Sequence, residues 1–464
     1  MIDPSQERSE GSALASPYLT TTVGIVTLVT LIAFESLAVS TAMPVLAADL
    51  DAVRNYGSAF SVFLTTSLLG VVVSGTWCDA RGPLWPVRIG LLCFGGGLLG
   101  CGLAGTFPML LAGRAVAGAG GGLLIVAMYV VIADVYPSAL QPRLFSLISA
   151  GWVLPGLIGP VLAGWLAENV SWRAVFLLVP PLALPAVLVL LPRLRPDQAA
   201  AVPDVTVRRR VAAGAALAGG VLALQWGLAA LGESSGSRLT VAAIAAGGGL
   251  LLAGLAFWDL VPSGTLTLRR GLPTVITLRG LYAGMFNGVE VFIPLMLVTE
   301  RGMSAVEAGL VLTGATLGWT SGSMLQARSE TPRIRIPRHR LMVAGAGLVA
   351  VGEVLLVLAV RPPVPAWAAL GFWSLAAVGM GLAMSSTSVL VLRYSETGQE
   401  GRNSAALQLS DAFGSALGIG LAGAAFATWH RPEGSDATLF TVMWLTFAVV
   451  ALAAAAIGFR VRRP

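Results

Sequence analysis

Along this 464-residue chain an apolar run recurs, again and again, at the length that crosses a bilayer, about 20 residues. The runs lie near 20–46, 57–78, 87–106, 108–133, 143–167 and 173–192, then 210–231 and 239–258, and finally 272–298, 305–326, 341–360, 365–392, 403–429 and 437–459. In lipid every backbone N–H and C=O must be satisfied inside its own segment, so runs of this length are read as helices. With 56% hydrophobic and 11% charged residues, the chain cannot clothe a soluble globule in polar surface. The expectation is an all-α polytopic membrane protein of 14 spans, grouped six, two and six.

Arginine placement orients it. Only Arg54, Arg173, Arg238, Arg301, Arg361 and Arg431 fall on the outer side if the N-terminus is cytoplasmic. Arg114 and Arg279 fall within spans, and the rest line the inner ends. Both termini are therefore expected in the cytoplasm, with the chain in the cell (inner) membrane. The expected divisions are an N-terminal tail (1–19), a six-helix bundle (20–192), loops with an inserted helix pair (193–271), a second six-helix bundle (272–459) and a short tail (460–464).

The two bundles read as copies. Gly120-Gly121-Gly122-Leu123 returns as Gly379-Met380-Gly381-Leu382, and at the same offset Arg143 returns as Arg402. Gly159 to Gly164 likewise returns as Gly418 to Gly423. A slightly smaller offset pairs Gly75 with Gly322 and Ala80-Arg81 with Ala327-Arg328. Parallel repeats flanking a midplane site are the architecture of rocking secondary transporters.

Several function classes are excluded. The 29 basic residues are all arginine, so neither a Walker A lysine nor a Schiff-base lysine exists. Cys78, Cys93 and Cys101 lack metal-ligand spacing and read as packing residues. No metal or cofactor is expected, the chain does not read as an enzyme, and the inner arginines are accounted for by topology without nucleic acid. The polar start, Met1 to Pro17, is not read as a cleavable signal peptide.

One segment breaks the rules of a soluble helix. Gly151, Pro155, Gly156, Gly159, Pro160 and Gly164 crowd a single span, where each Pro would cost about 3 kcal/mol in water. In a membrane neighbouring helices can take up the freed backbone groups. A helix that bends or slides is expected, or else a tight static crossing. The repeat keeps Gly418 and Gly423 but has Ile419 for Pro160, which narrows the segment to a one-sided pivot or seal.

Together these motifs resemble the major facilitator superfamily, and within it the 14-span drug:proton antiporters. Gly75-Thr76-Trp77-Cys78-Asp79-Ala80-Arg81-Gly82-Pro83 resembles the superfamily's loop signature, with its later basic residues reduced to Arg88. Leu111 to Gly118 is similar to the fourth-helix motif with its embedded Arg114. Pro155 to Gly164 resembles the antiporter motif, with Ala163 where a second Gly is usual, and Ser171-Trp172-Arg173 resembles the start of the sixth helix. Ala42-Met43-Pro44 also fits, with Glu35 where Asp is common. The resemblance implies two six-helix bundles, a central cavity lined by core helices 1, 4, 7 and 10, and two inserted helices.

Ionisable groups inside spans are costly and usually face a cavity or partner. Glu35 is expected to be the proton carrier and Arg114 its fixed countercharge; the bland alternative is a static ion pair. Glu290, one helical turn from Asn287, and Asp411 are further candidates for proton coupling. Glu353, on an outer helix, reads as structural or interfacial. Asp79, Arg81, Gly82, Asp134 and Arg143 are expected to form an inner latch that exists only when the halves close there. Trp152, Tyr282, Phe286, Asn287, Trp319 and Trp373 are candidates for the substrate cavity. The expected activity is export of a lipophilic or cationic small molecule against inward protons, by a functional monomer. The alternatives are an exporter of an endogenous lipid or metabolite and a proton-coupled nutrient symporter.

Overall fold

The computed structural model describes residues 18–137, 140–194, 204–231, 236–329, 336–396 and 399–461. Arg8, Arg195, Arg333, Arg335, Arg462 and Arg463, all assigned above to the inner side, lie outside the described residues, as does the tail 1–17.

Regular structure among the described residues is helical. The first bundle comprises α1 (Leu19–Asp49), α2 (Tyr56–Arg81), α3 (Leu84–Gly102), α4 (Phe107–Val135), α5 (Gln141–Leu166), α6 (Trp172–Leu177) and α7 (Val179–Leu190). The inserted pair is α8 (Asp204–Leu231) and α9 (Ser237–Leu260). The second bundle comprises α10 (Leu272–Glu290), α11 (Ile293–Arg301), α12 (Ala305–Arg328), α13 (Arg338–Ala359), α14 (Ala368–Tyr394), α15 (Glu400–Trp429) and α16 (Ala437–Gly458).

Twelve helical segments among the described residues are long and apolar enough to cross a membrane, against the 14 expected. Two places make the difference. The fifth and sixth apolar runs form one helical stretch, Ala150–Leu190, interrupted by a π turn at Ala167–Ser171 and a single turn residue, Leu178. α12 has the length, but Thr313, Thr316, Thr320, Ser321 and Ser323 dilute its apolar character.

The packing repeats as the sequence does. In the first bundle α4 lies against α2 and α3, and α1 against α5 and α7. In the second, α14 lies against α12 and α13, and α10 against α15 and α16. Gly122 abuts the Ser67 carbonyl and its repeat mate Gly381 abuts the Trp319 carbonyl; a Cβ would overlap at either place. Small residues that let backbones meet are the usual interface chemistry in membranes.

Two seams join the halves, α2 on α15 and α5 on α12. The close approaches along both concentrate toward one end. There Gly57 meets Gly423 and Gly164 meets the Ala305 backbone, while Gly309 abuts the Pro160 carbonyl nearer mid-span. Arg54 Nε donates to the Ala427 carbonyl at 2.8 Å, and Glu168 accepts from the Ala305 N–H at the start of α12. At the opposite, arginine-rich end Gly75 has open space around it, and Arg81, Arg143, Trp152 and Leu325 are exposed. The halves are closed on the Tyr56 side and parted on the Arg81 side.

The inserted pair, for which sequence gives no role, lies along the α2/α15 seam. α8 packs on both helices: Gln225 Nε2 donates to the Ala416 carbonyl at 2.9 Å, and Gly214 faces Val72. Phe257 of α9 stacks on Phe413 with ring centroids 4.6 Å apart.

Candidate functional site

Prolines decide where the backbone can bond across helices, because a proline leaves the carbonyl four residues earlier without its helical donor. Pro160 frees the Gly156 carbonyl, and Thr316 Oγ1 of α12 donates to it at 3.1 Å. Thr313 Oγ1 adds a bond to the Leu157 carbonyl at 3.3 Å. Pro155 and Pro160 lie inside one continuous helix. Gly156 and Gly164 form the α5 side of the seam, and Gly159 packs on Phe34 of α1.

The same logic exposes a residue that sequence reading missed. Pro44 frees the Ser40 carbonyl, and Pro294 frees that of Glu290, where the seventh core helix breaks between α10 and α11. The fully buried Tyr56 sits between these irregular stretches. Its hydroxyl donates to the Val291 carbonyl at 3.0 Å and lies 3.5 Å from the Ser40 carbonyl. The available signal was a Tyr at the start of a span facing two spans with internal prolines.

Of the four candidates for proton coupling, Glu35 and Arg114 pair with each other, Asp411 pairs with Arg279, and Glu290 belongs to neither pair. Glu35 and Arg114 form an ion pair enclosed by α1, α2 and α4, at 0% and 3% side-chain exposure. Arg114 Nε also donates to the Ala59 carbonyl at 3.1 Å, and its guanidinium lies 4.2 Å from the Phe63 ring centroid. Arg114 binds only one carboxylate oxygen; Glu35 Oε2 is buried with no partner. In the second half Arg279 pairs with Asp411 at 3.3 Å and with Thr387 Oγ1 at 3.2 Å. Arg279 thus bonds across to α14 and α15. Glu290 ends α10 at the helix break, with no hydrogen-bond or ion-pair partner among the described residues. Asn287, one turn earlier, donates to Ser415 Oγ at 2.8 Å.

The aromatic candidates divide. Trp152 is 37% exposed and shares the helix face of Gly156 and Gly159. The antiparallel register of α5 and α12 sets it level with the half-buried Trp319, on the parted side of the seam. Phe286 stacks on Trp373 at 4.3 Å and meets Trp319 edge-on at 5.6 Å. Phe286 and Trp373 are fully enclosed behind Trp319. Tyr282, expected at the cavity, is buried in the second bundle and donates to the Met342 carbonyl at 3.3 Å. Its position on a core helix did not reveal which face turns inward. Tyr129 of α4, missed in the sequence, is exposed and within electrostatic reach of Arg279 and Asp411 across the gap.

The expected inner latch is not assembled across the halves. Asp79 pairs with Arg210 of the inserted helix α8 at 3.5 Å, both side chains about half exposed. Arg81 and Arg143 are exposed, and Gly82 ends α2 at φ 73°, a conformation that suits Gly. Asp134, at the arginine-rich end of α4, is exposed. A latch that needs those ends together cannot close while they are apart. Glu353 of α13 is fully buried with neither carboxylate oxygen bonded.

Residues 24–328 match the sequence profile of the Major Facilitator Superfamily. The chain belongs to that superfamily. It is therefore a multi-pass membrane transporter of small molecules, not an enzyme. Among superfamily members it is 26% identical over 472 residues to the "Probable multidrug-efflux transporter Rv1634" of Mycobacterium tuberculosis, covering 98% of this chain and 96% of that one. It is 25% identical to the acurin A biosynthesis cluster MFS-type transporter of Aspergillus aculeatus, over 70% of this chain and 61% of that protein's length. A crystal structure of the peptide transporter POT in complex with sulfate superposes with a TM-score of 0.67 at 14% identity, covering 99% of this chain and 98% of the other. That likeness is one of fold.

Proposed function

We propose that this protein is a proton-coupled exporter of lipophilic or cationic small molecules, an antiporter working by alternating access with Glu35 as proton carrier. The observation that carries the reading is the enclosed Glu35–Arg114 pair with its one unbonded carboxylate oxygen. Arg114 keeps its charge at all working pH values. A proton arriving at Glu35 Oε2 therefore leaves Arg114 uncompensated, and its departure restores the pair. Such a bistable electrostatic contact, buried in one half, can bias how the two halves pack. The likeness to a multidrug-efflux transporter supports export and a lipophilic cargo.

The cargo's path is the gap on the arginine-rich side. Trp152 and Trp319 offer flat apolar walls, Asn287 and the unpaired Glu290 lie deeper, and Tyr129 stands over Arg279–Asp411. If that side is cytoplasmic, as arginine placement supports, the conformation is inward-facing with the outer gate shut by Tyr56. We further propose that the chain crosses the bilayer 14 times and falls with the 14-span drug:proton antiporters. A single 41-residue helix over Ala150–Leu190 would run about 60 Å, twice the ~30 Å hydrocarbon core. The chain loosens into the π turn, and Ser171 is extended at φ −177°, which supports two passes.

The test is transport in proteoliposomes under an imposed pH gradient, wild type against Glu35→Gln, with counterflow of labelled substrate as the control. Loss of proton-driven accumulation with counterflow retained is expected. Undiminished coupled transport in Glu35→Gln would remove Glu35 as the carrier, and substrate moving with protons would overturn antiport.

A further inference from the structure

A cavity of about 350 Å³ opens on the side of the first bundle, away from both seams, between α1, α3 and α7. Three helical stripes face it. They are Leu28, Leu31 and Ile32 on α1, Leu91, Leu92 and Gly95 on α3, and Ala183, Leu184 and Val187 on α7. On α1 the spacing is i, i+3, i+4; with Arg88 on α3 and Pro180 on α7, which also line the cavity, the other two stripes run i, i+3, i+4, i+7, the spacing of a helix face meant to be covered. Here α3 and α7 touch but leave a groove open between them. Gly95 widens the groove further, since a Cβ there would find nothing within 4 Å. Leu92 is 75% exposed and Leu184 55%, so the groove opens outward from the bundle.

At one end of this apolar groove sits a lone cation. Arg88 lines it one turn before Leu91 and Leu92 on the same face of α3. It is exposed, and no carboxylate among the described residues pairs with it. Its guanidinium lies 5.4 Å from the ring centroid of Trp85, itself 47% exposed. Arginine and tryptophan at the first turn of a spanning helix mark the headgroup level. The groove thus runs from an unpaired positive charge at the interface into the hydrocarbon region.

We propose that this groove is a binding site for one anionic phospholipid of the leaflet at the α3 N-terminal end. Its phosphate bonds Arg88 and one acyl chain lies between α3 and α7. Charge complementarity and shape together favour this occupant: a neutral lipid would fill the groove but leave Arg88 unpaired. This site is separate from the Glu35 pair and does not depend on what the protein transports.

Native mass spectrometry of the purified protein, doped with dioleoyl phosphatidylglycerol or dioleoyl phosphatidylcholine, reads the site directly. Wild type should retain one phosphatidylglycerol with about fivefold preference, the worth of one interfacial arginine. Arg88→Gln should bring that preference to about unity while phosphatidylcholine retention stays as in wild type. Gly95→Phe, whose Cβ starts in open space and whose ring fills the groove, should lose the adduct with either lipid. Unfolding temperatures of the delipidated variants, matched to wild type, control for misfolding. Phosphatidylglycerol preference surviving Arg88→Gln would overturn the proposal. So would an adduct that persists in Gly95→Phe, the mark of lipid held elsewhere on the perimeter.

Discussion

Arg114 and Glu35 are each tolerable only because of the other. Removing one partner of a buried pair leaves an uncompensated charge and typically costs 3–5 kcal/mol. Glu35→Gln should therefore lower the unfolding temperature of the purified protein more than Arg114→Gln, because Arg114 keeps its charge whereas a Glu35 left alone can take up a proton and become neutral. The double variant should recover part of the loss. Calorimetry or a thiol-reactive unfolding assay on the three variants checks this, and equal destabilisation by both single variants would deny the asymmetry. Tyr56→Phe keeps the ring contacts to Phe60 and Phe292 but removes the donor to the Val291 carbonyl. A net loss of about 1 kcal/mol should raise the fraction open on the Tyr56 side roughly fivefold, readable as a longer interspin distance between labels on Asp51 and Glu433. An unchanged distance distribution would show that the hydroxyl does not hold the gate.

At the scale of elements, α5 and α12 behave as a matched pair because the proline of one creates the acceptor that the threonine of the other satisfies. Thr316→Val keeps the shape and removes the donor. Interhelical hydrogen bonds in membranes average about 0.6 kcal/mol, so the change should weaken the seam modestly and speed the opening of the closed side. Stopped-flow fluorescence of Trp152, 37% exposed beside this seam, is the measurement, and a rate unchanged from wild type would count against the seal. The repeat mate of Pro160 is Ile419, so no equivalent acceptor is freed there. The α2/α15 seam relies on the Gly57–Gly423 approach instead.

For the whole molecule, rocking requires each half to move as a body while both seams change. α8 lies across one seam and contacts both halves, so it must travel with one and slide on the other. In a cysteine-free background, a cross-link between Val72→Cys and Gly214→Cys should spare transport, and so should one between Gln225→Cys and Gly420→Cys. Both together should arrest it, because they bolt α2 to α15 through α8. Transport surviving the double cross-link would mean that the halves do not rock about this seam.

Sequence alone determined the class, the repeat and the identity of the costly residues, because hydrocarbon penalises every exposed backbone group and every embedded charge. Runs of about 20 apolar residues, Glu35 and Arg114 inside spans, and Pro and Gly at repeated positions are all visible one residue at a time. Tertiary structure decided which of these meet. Pairing depends on helix rotation and register across hundreds of residues, so Arg279 went to Asp411 and left Glu290 alone, and Tyr282 turned into its bundle while Tyr129 turned to the gap. The chain says which carbonyls its prolines free; only the packed bundle says that Tyr56 and Thr316 are there to bind them.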